Sequence, residues 1–88
     1  MENKKLYISE NSSSEMLDDE LIILDLESGL YHSLNEIGSF IWEEIKVKNP
    51  SYDNLKKSIS QKYIGENISE DLDIFLEELK KKKLIFVK

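Results

Sequence analysis

The sequence contains no cysteine, which excludes disulfides and thiolate metal sites. Its one histidine, His32, has no second histidine or cysteine with which to form a zinc site. The three glycines form no GxGxxG, P-loop or GxSxG pattern. The chain therefore lacks the residues of the common catalytic and cofactor-binding sites. We expect a protein that is not an enzyme and that holds no metal and no cofactor.

Long apolar runs are also absent. The longest, residues 21–24, is far shorter than the roughly 20 residues that span a bilayer. The charged N-terminus leads into no apolar signal segment. We therefore expect no membrane partner and a cytoplasmic location.

Composition and charge narrow the class of partner. The chain has 88 residues, of which 40% are hydrophobic and 34% charged, the balance of a globular domain. The net charge of −6 disfavours nucleic acid, because phosphate binding needs concentrated positive potential. A peptide or protein partner suits this acidic chain better.

Three strands are predicted in the N-terminal third, at residues 5–9, 20–25 and 30–34. Residues 10–19, which include three consecutive serines, are predicted to form a loop. The unbroken apolar stretch within residues 20–25 indicates burial on both faces of that strand. Gly29 can take a positive φ and supplies the turn that joins the last two strands in a hairpin.

Three helices are predicted to follow, with Asn35, Ser51 and Ser69 as their N-caps. The first ends near Lys46, before the Asn-Pro pair, and the second ends at Gly65. Four lysines favour the C-terminal end of the third helix, and residues 84–87 form a short strand or a tucked tail. Apolar side chains recur at helical spacing in each helix, so one face of each packs on the core: Ile37, Phe40, Ile41 and Ile45, with Trp42 beside them; Tyr52, Leu55, Ile59 and Tyr63; Leu72, Phe75, Leu76 and Leu79.

Strands followed by helices are typical of an α+β fold. We expect a three-stranded antiparallel sheet followed by three helices, in an arrangement like a winged helix-turn-helix domain. Residues 1–88 are predicted to form a single domain, in which residues 1–4 and 10–19 are flexible.

The most informative stretch is residues 29–42, Gly-Leu-Tyr-His-Ser-Leu-Asn-Glu-Ile-Gly-Ser-Phe-Ile-Trp. A glycine turn and an aromatic strand lead directly into Leu-Asn and then into a helix that contains glycine and Ile-Trp. Residues 68–79 add Asp, Phe-Leu and Leu, and the chain closes on Leu84-Ile85. In order and spacing these segments resemble the PqqD-like family over residues 21–87. The four lysines before Leu84 depart from the family, which more often has a glycine there, and leave the end of the last helix open.

This resemblance implies a stand-alone recognition element for ribosomally synthesised, post-translationally modified peptides. Such an element binds the leader region of a precursor peptide and presents the precursor to a leader peptidase, a cyclase or a radical-SAM maturase. The family's binding mode is β-strand addition, in which the peptide lies beside the third strand and against the third helix. Lasso-peptide leader peptidases are among the partners of the family.

The predicted site therefore has two walls. One is the strand edge, whose residues are Leu30, Tyr31, His32, Ser33 and Leu34. The other is a second line at helical spacing on the third helix: Asp71, Ile74, Phe75 and Glu78. Its two acids would meet basic leader residues, although an exposed isoleucine on a solvated helix face is also an ordinary feature.

Two other functions remain open from the residues alone. A winged-helix DNA-binding regulator would need basic residues early in its recognition helix, whereas the third helix begins Ser-Glu-Asp. Lys56, Lys57 and Lys62 give the second helix only a thin basic face. Alternatively, the exposed strand could pair with a second copy of the chain, as strand edges often do.

Overall fold

The computed structural model describes residues 4–65 and 68–88; residues 1–3, part of the segment predicted to be flexible, lie outside them. The elements in chain order are β1 (Leu6–Ile8), β2 (Ser12–Leu17), β3 (Glu20–Asp25), β4 (Tyr31–Leu34), α1 (Glu36–Lys48), α2 (Tyr52–Lys62), α3 (Ser69–Lys81) and β5 (Ile85–Val87). The α+β class, with a three-stranded antiparallel sheet and three helices, is confirmed.

The membership of the three-stranded sheet differs from the prediction. Its order is β2-β3-β4, so the loop predicted over residues 10–19 is wrong, because Ser12–Leu17 pairs along the whole of β3. Asp18 has a φ of 56°, which permits a tight turn between the two strands. Serine has no strong strand preference, so it is pairing with the apolar β3 that makes this segment a strand.

The first predicted strand lies elsewhere. β1 pairs antiparallel with β5, with Leu6 opposite Val87, so the two ends of the described chain form a separate two-stranded sheet. This pairing also shows that residues 85–87 are a strand, one of the two predicted alternatives.

Burial of β3 on both faces is not observed. Leu21 and Ile23 are buried in the core, whereas Ile22 and Leu24 on the other face are only half-buried. The helices cover only one face of this antiparallel sheet. Alternate residues of β3 therefore lie on the face that the helices leave uncovered.

Two of the three predicted N-caps are observed. Asn35 Oδ1 accepts a hydrogen bond from the Gly38 amide at 2.8 Å, and Ser51 Oγ accepts one from the Asn54 amide at 3.2 Å. Ser69 is wrong as a cap, because it is already helical and the preceding Ile68 takes the cap position without a side-chain hydrogen bond. Ile68 is buried, so packing sets the start of α3.

The other helix ends lie within a few residues of the predictions. α1 continues to Lys48 rather than Lys46, and α2 ends at Lys62, before Gly65. Among the described helices, none is long and apolar enough to cross a bilayer.

The core lies between the inner face of the sheet and the helices. Trp42, predicted to lie beside the α1 stripe, is fully buried with Ile45, Leu55 and Ile59. Its indole Nε1 donates to Ser14 Oγ on β2 at 3.3 Å. The largest core side chain thus ties α1 to the outer strand of the sheet and holds the strands against the helices.

Candidate peptide-binding groove

β4 is an edge strand, and its hydrogen-bonding direction can be assigned. The Asp25 amide donates to the Leu30 carbonyl oxygen at 2.9 Å, which makes these two residues a hydrogen-bonded pair. Pairs alternate along an antiparallel ladder, so His32 and Leu34 also direct their backbone groups toward β3. Tyr31 and Ser33 therefore direct their N–H and C=O groups away from the sheet. No residue of the described chain pairs with them.

A hydrogen-bonded turn over residues 25–29 joins β3 to β4 and fixes the start of the edge strand. Asp25 Oδ1 accepts a hydrogen bond from the Glu27 amide at 3.0 Å, and the Asp25 carbonyl oxygen accepts one from the Gly29 amide at 2.7 Å. The bond from the Glu27 amide is the main reason that the pKa of Asp25 is lowered. Gly29 has a φ of 77°, as predicted, and completes the turn.

A groove of about 440 Å³ runs between β4 and α3. Six predicted site residues line it: Tyr31, His32, Ser33, Leu34, Phe75 and Glu78. The structure thus brings most of the predicted strand edge and the C-terminal half of the predicted helix line to one concave surface.

An apolar pocket of about 230 Å³ adjoins the groove. Asn35 and Phe75 line both spaces, and Asp71, another predicted residue, lines the pocket only. Gly38 also lines the pocket. A methyl group at Gly38 would meet the side chains of Asn35, Leu34 and Phe75. The pocket depends on the absence of a side chain at that position.

Two predicted residues lie apart from both spaces. Leu30 and Ile74 line neither the groove nor the pocket, and their side chains are 60% and 55% exposed. Their part in binding stays a prediction.

Four groove residues were missed by the sequence reasoning: Asn35, Leu79, Lys82 and Leu84. Asn35 was recognised only as an N-cap, and Leu79 and Leu84 only as apolar residues of the core and tail. Lys82 was one of four lysines assigned to the end of α3. Helical spacing places Lys82 four residues after Glu78, and this was the available signal that both line one surface.

The arrangement suits capture of an extended chain. It offers unpaired backbone groups, which binding by strand addition requires, and an aromatic and two charged side chains that can contact alternate side chains of the added strand. Within residues 4–65 and 68–88, no cluster of metal-ligating side chains could hold an ion.

Comparisons with known proteins agree with this geometry. The family model for coenzyme PQQ synthesis protein D (PqqD) matches residues 20–85. A solved structure of TbiB1 in complex with the TbiA(beta) leader peptide is similar over 90% of this chain and 93% of that chain, with 30% sequence identity and a TM-score of 0.79. A second, of lasso peptide synthetase B1 complexed with the leader peptide, covers 93% of this chain and 98% of that chain, with 19% identity and a TM-score of 0.78. At 19% identity, this second structure supports only the similarity of fold.

No curated protein sequence matches the chain. The DNA-binding alternative finds no support in the family match or in either structural neighbour.

Proposed function

Because the chain belongs to the PqqD family, we propose that it binds the leader region of a ribosomally synthesised precursor peptide and presents the precursor to a modifying enzyme. The observation that carries the proposal is the unpaired edge of β4 beside a groove walled by α3. A chain that is 30% identical over nearly the same length was solved with a leader peptide.

The proposed binding mode is strand addition to β4. Tyr31 and Ser33 each offer one N–H and one C=O group to the incoming peptide, about 6.7 Å apart along the strand. This spacing matches every second residue of an extended chain, so the peptide backbone would be bound without regard to sequence. Alternate peptide side chains would then face the groove, where Phe75 is half-buried and available as an apolar contact.

The remaining predicted residues would contact the peptide through their side chains. Asp71 and Glu78, both exposed, supply negative charge for basic leader residues. Leu30 and Ile74 would contact peptide that extends beyond the groove. The chemistry itself would belong to a partner such as a leader peptidase, a cyclase or a radical-SAM maturase, with this chain contributing no catalytic group. A cytoplasmic location stays a prediction.

The test is titration of labelled TbiA(beta) leader peptide against the wild type and a Ser33→Pro variant. Proline at Ser33 removes an outward N–H and keeps the backbone ladder to β3, but it also removes the hydrogen bond that Ser33 Oγ donates to Glu20 Oε1 at 3.1 Å. We expect the affinity to fall about tenfold or more, since a hydrogen bond is lost and the proline ring obstructs the incoming strand.

The matched control is Met16→Pro, which makes the same change at the opposite edge of the sheet. The ladder alternation also points the Met16 amide outward, because the Leu26 amide donates to the Asn11 carbonyl oxygen and fixes the phase of β2 against β3. Far-UV circular dichroism checks that both variants fold. Equal loss of affinity in both proline variants would overturn the proposal.

A further inference from the structure

The two walls of the groove differ in the charge that they can supply. No lysine or arginine lies between Lys5 and Lys46 in the sequence, so β4 and its neighbouring strands contribute no permanent positive charge. Lys82, at the end of α3, is the only lysine among the residues that line the groove and its adjoining pocket. An acidic side chain of a bound peptide could therefore pair with a lysine of the groove only at Lys82.

Among the described residues, the Lys82 ammonium group forms no ion pair. Glu44 and Lys48 stand four residues apart on α1 and form an ion pair at 3.1 Å. Glu78 and Lys82 have the same spacing and the same order, which favours pairing on a helix. Across residues 4–65 and 68–88, however, no ion pair involves either of them, whereas the neighbouring Lys80 pairs with Glu77 at 3.1 Å. Both groove charges are therefore available to a ligand.

For a peptide that lies along α3, the spacing of these two residues on the helix is close to the repeat of an extended chain. Four residues of helix advance by about 6 Å, and two residues of strand by about 6.7 Å. Two successive groove-facing side chains of a peptide would therefore align with Lys82 and Glu78. Phe75, about 4.5 Å further along α3, would meet the next groove-facing side chain.

We propose that the groove selects leader segments by charge order, with the pattern acidic-x-basic-x-apolar facing Lys82, Glu78 and Phe75 in turn. The pattern is defined along the groove, from the Lys82 end toward the apolar pocket. This selectivity rests on the proposed leader binding and adds Lys82 to the residues that determine specificity.

The test is selection of a displayed library of random dodecapeptides on the wild-type protein, which works without an identified precursor. Enriched peptides should carry an acidic, a basic and an apolar residue at alternate positions, with the basic residue between the other two. The same selection on Lys82→Glu should replace the acidic preference by a basic one. Lys81→Glu is the matched control: it makes the same charge change one residue away, at an exposed side chain that lines neither space.

One enriched peptide then gives the affinity. Lys82→Glu should weaken its binding about three- to tenfold, the range for one exposed charge contact that becomes a repulsion. Replacing the peptide's acidic residue by lysine should restore binding to Lys82→Glu, and added salt should reduce both effects.

Different results would contradict the charge order and the leader binding on which it rests. If enriched peptides lose binding in Ser33→Pro but show the same charge preference on Lys82→Glu as on the wild type, the charge order is refuted and strand addition stands. If no enriched peptide depends on Ser33, leader binding at this edge is itself refuted.

Discussion

Replacing Gly38 by alanine should destabilise the protein although alanine is the better helix former. An added Cβ would lie 3.2 Å from Asn35 Oδ1 and 3.4 Å from both Leu34 Cβ and Phe75 Cε1. The same Oδ1 accepts the capping hydrogen bond from the Gly38 amide at 2.8 Å. The methyl group therefore presses on the atom that caps α1.

The magnitude follows from three contributions. Alanine at a helical position gains about 1 kcal/mol over glycine. Displacement of the N-cap costs about 1 kcal/mol, and overpacking against Leu34 and Phe75 costs about 1–3 kcal/mol. The free energy of unfolding should fall by about 1–3 kcal/mol, which lowers the melting temperature by roughly 4 °C or more in a chain of this size.

Urea denaturation followed by circular dichroism measures the change in the free energy of unfolding. Repeating the measurement in an Asn35→Ala protein tests whether contact with Asn35 is the cause. In an Asn35→Ala protein the crowded Oδ1 is gone, so Gly38→Ala should cost at least about 1 kcal/mol less there than in the wild type. A Gly38→Ala variant as stable as the wild type, or an equal loss of stability in both backgrounds, would show that the methyl group does not crowd Asn35. Because Phe75 also lines the groove, the variant should bind leader peptide more weakly than the wild type.

Three further outcomes are expected. Trp42→Ala should cost about 3–5 kcal/mol, because the ring is fully buried; a thermal melt like that of the wild type would contradict this. The hydrogen bond to Asp73 raises the pKa of the Tyr52 phenol, so its stabilising effect is present below the pKa of free tyrosine and is lost as pH rises through the raised value. Absorbance titration of Asp73→Asn should show Tyr52 ionising at lower pH than in the wild type. In a gel shift at low salt, where phosphate binding is strongest, duplex DNA should remain unshifted, and a retarded band would revive the DNA-binding alternative.

Much of the fold could be predicted because it depends on near neighbours in the sequence. The three helices, the caps Asn35 and Ser51, and the Gly29 turn each arise from chemistry within a few residues. The prediction failed where distant segments decide. Ser12–Leu17 has no strong strand preference of its own and is a strand because it pairs with β3.

The candidate site was predictable to a similar extent. The edge strand and the helix line were found from spacing and from the family resemblance, and six of the predicted residues line the groove. Ile74 was assigned to a groove wall by helical spacing together with the family resemblance, and spacing gives the angle of a side chain around the helix but not what faces it. Lys82 was missed for the same reason, since its position in the groove depends on β4 lying opposite.

By itself the sequence determined which segments are helical, that residues 20–34 form a hairpin, and that the common catalytic motifs are missing. These properties are local, because hydrogen bonds of caps and turns and the periodicity of apolar residues involve only nearby positions. Tertiary structure alone decided that β1 pairs with β5 and that Tyr31 and Ser33, not His32, present free backbone groups. It also brought Glu78 and Lys82 to face that edge. These features depend on strand register and on packing between segments far apart in the chain, which no local pattern specifies.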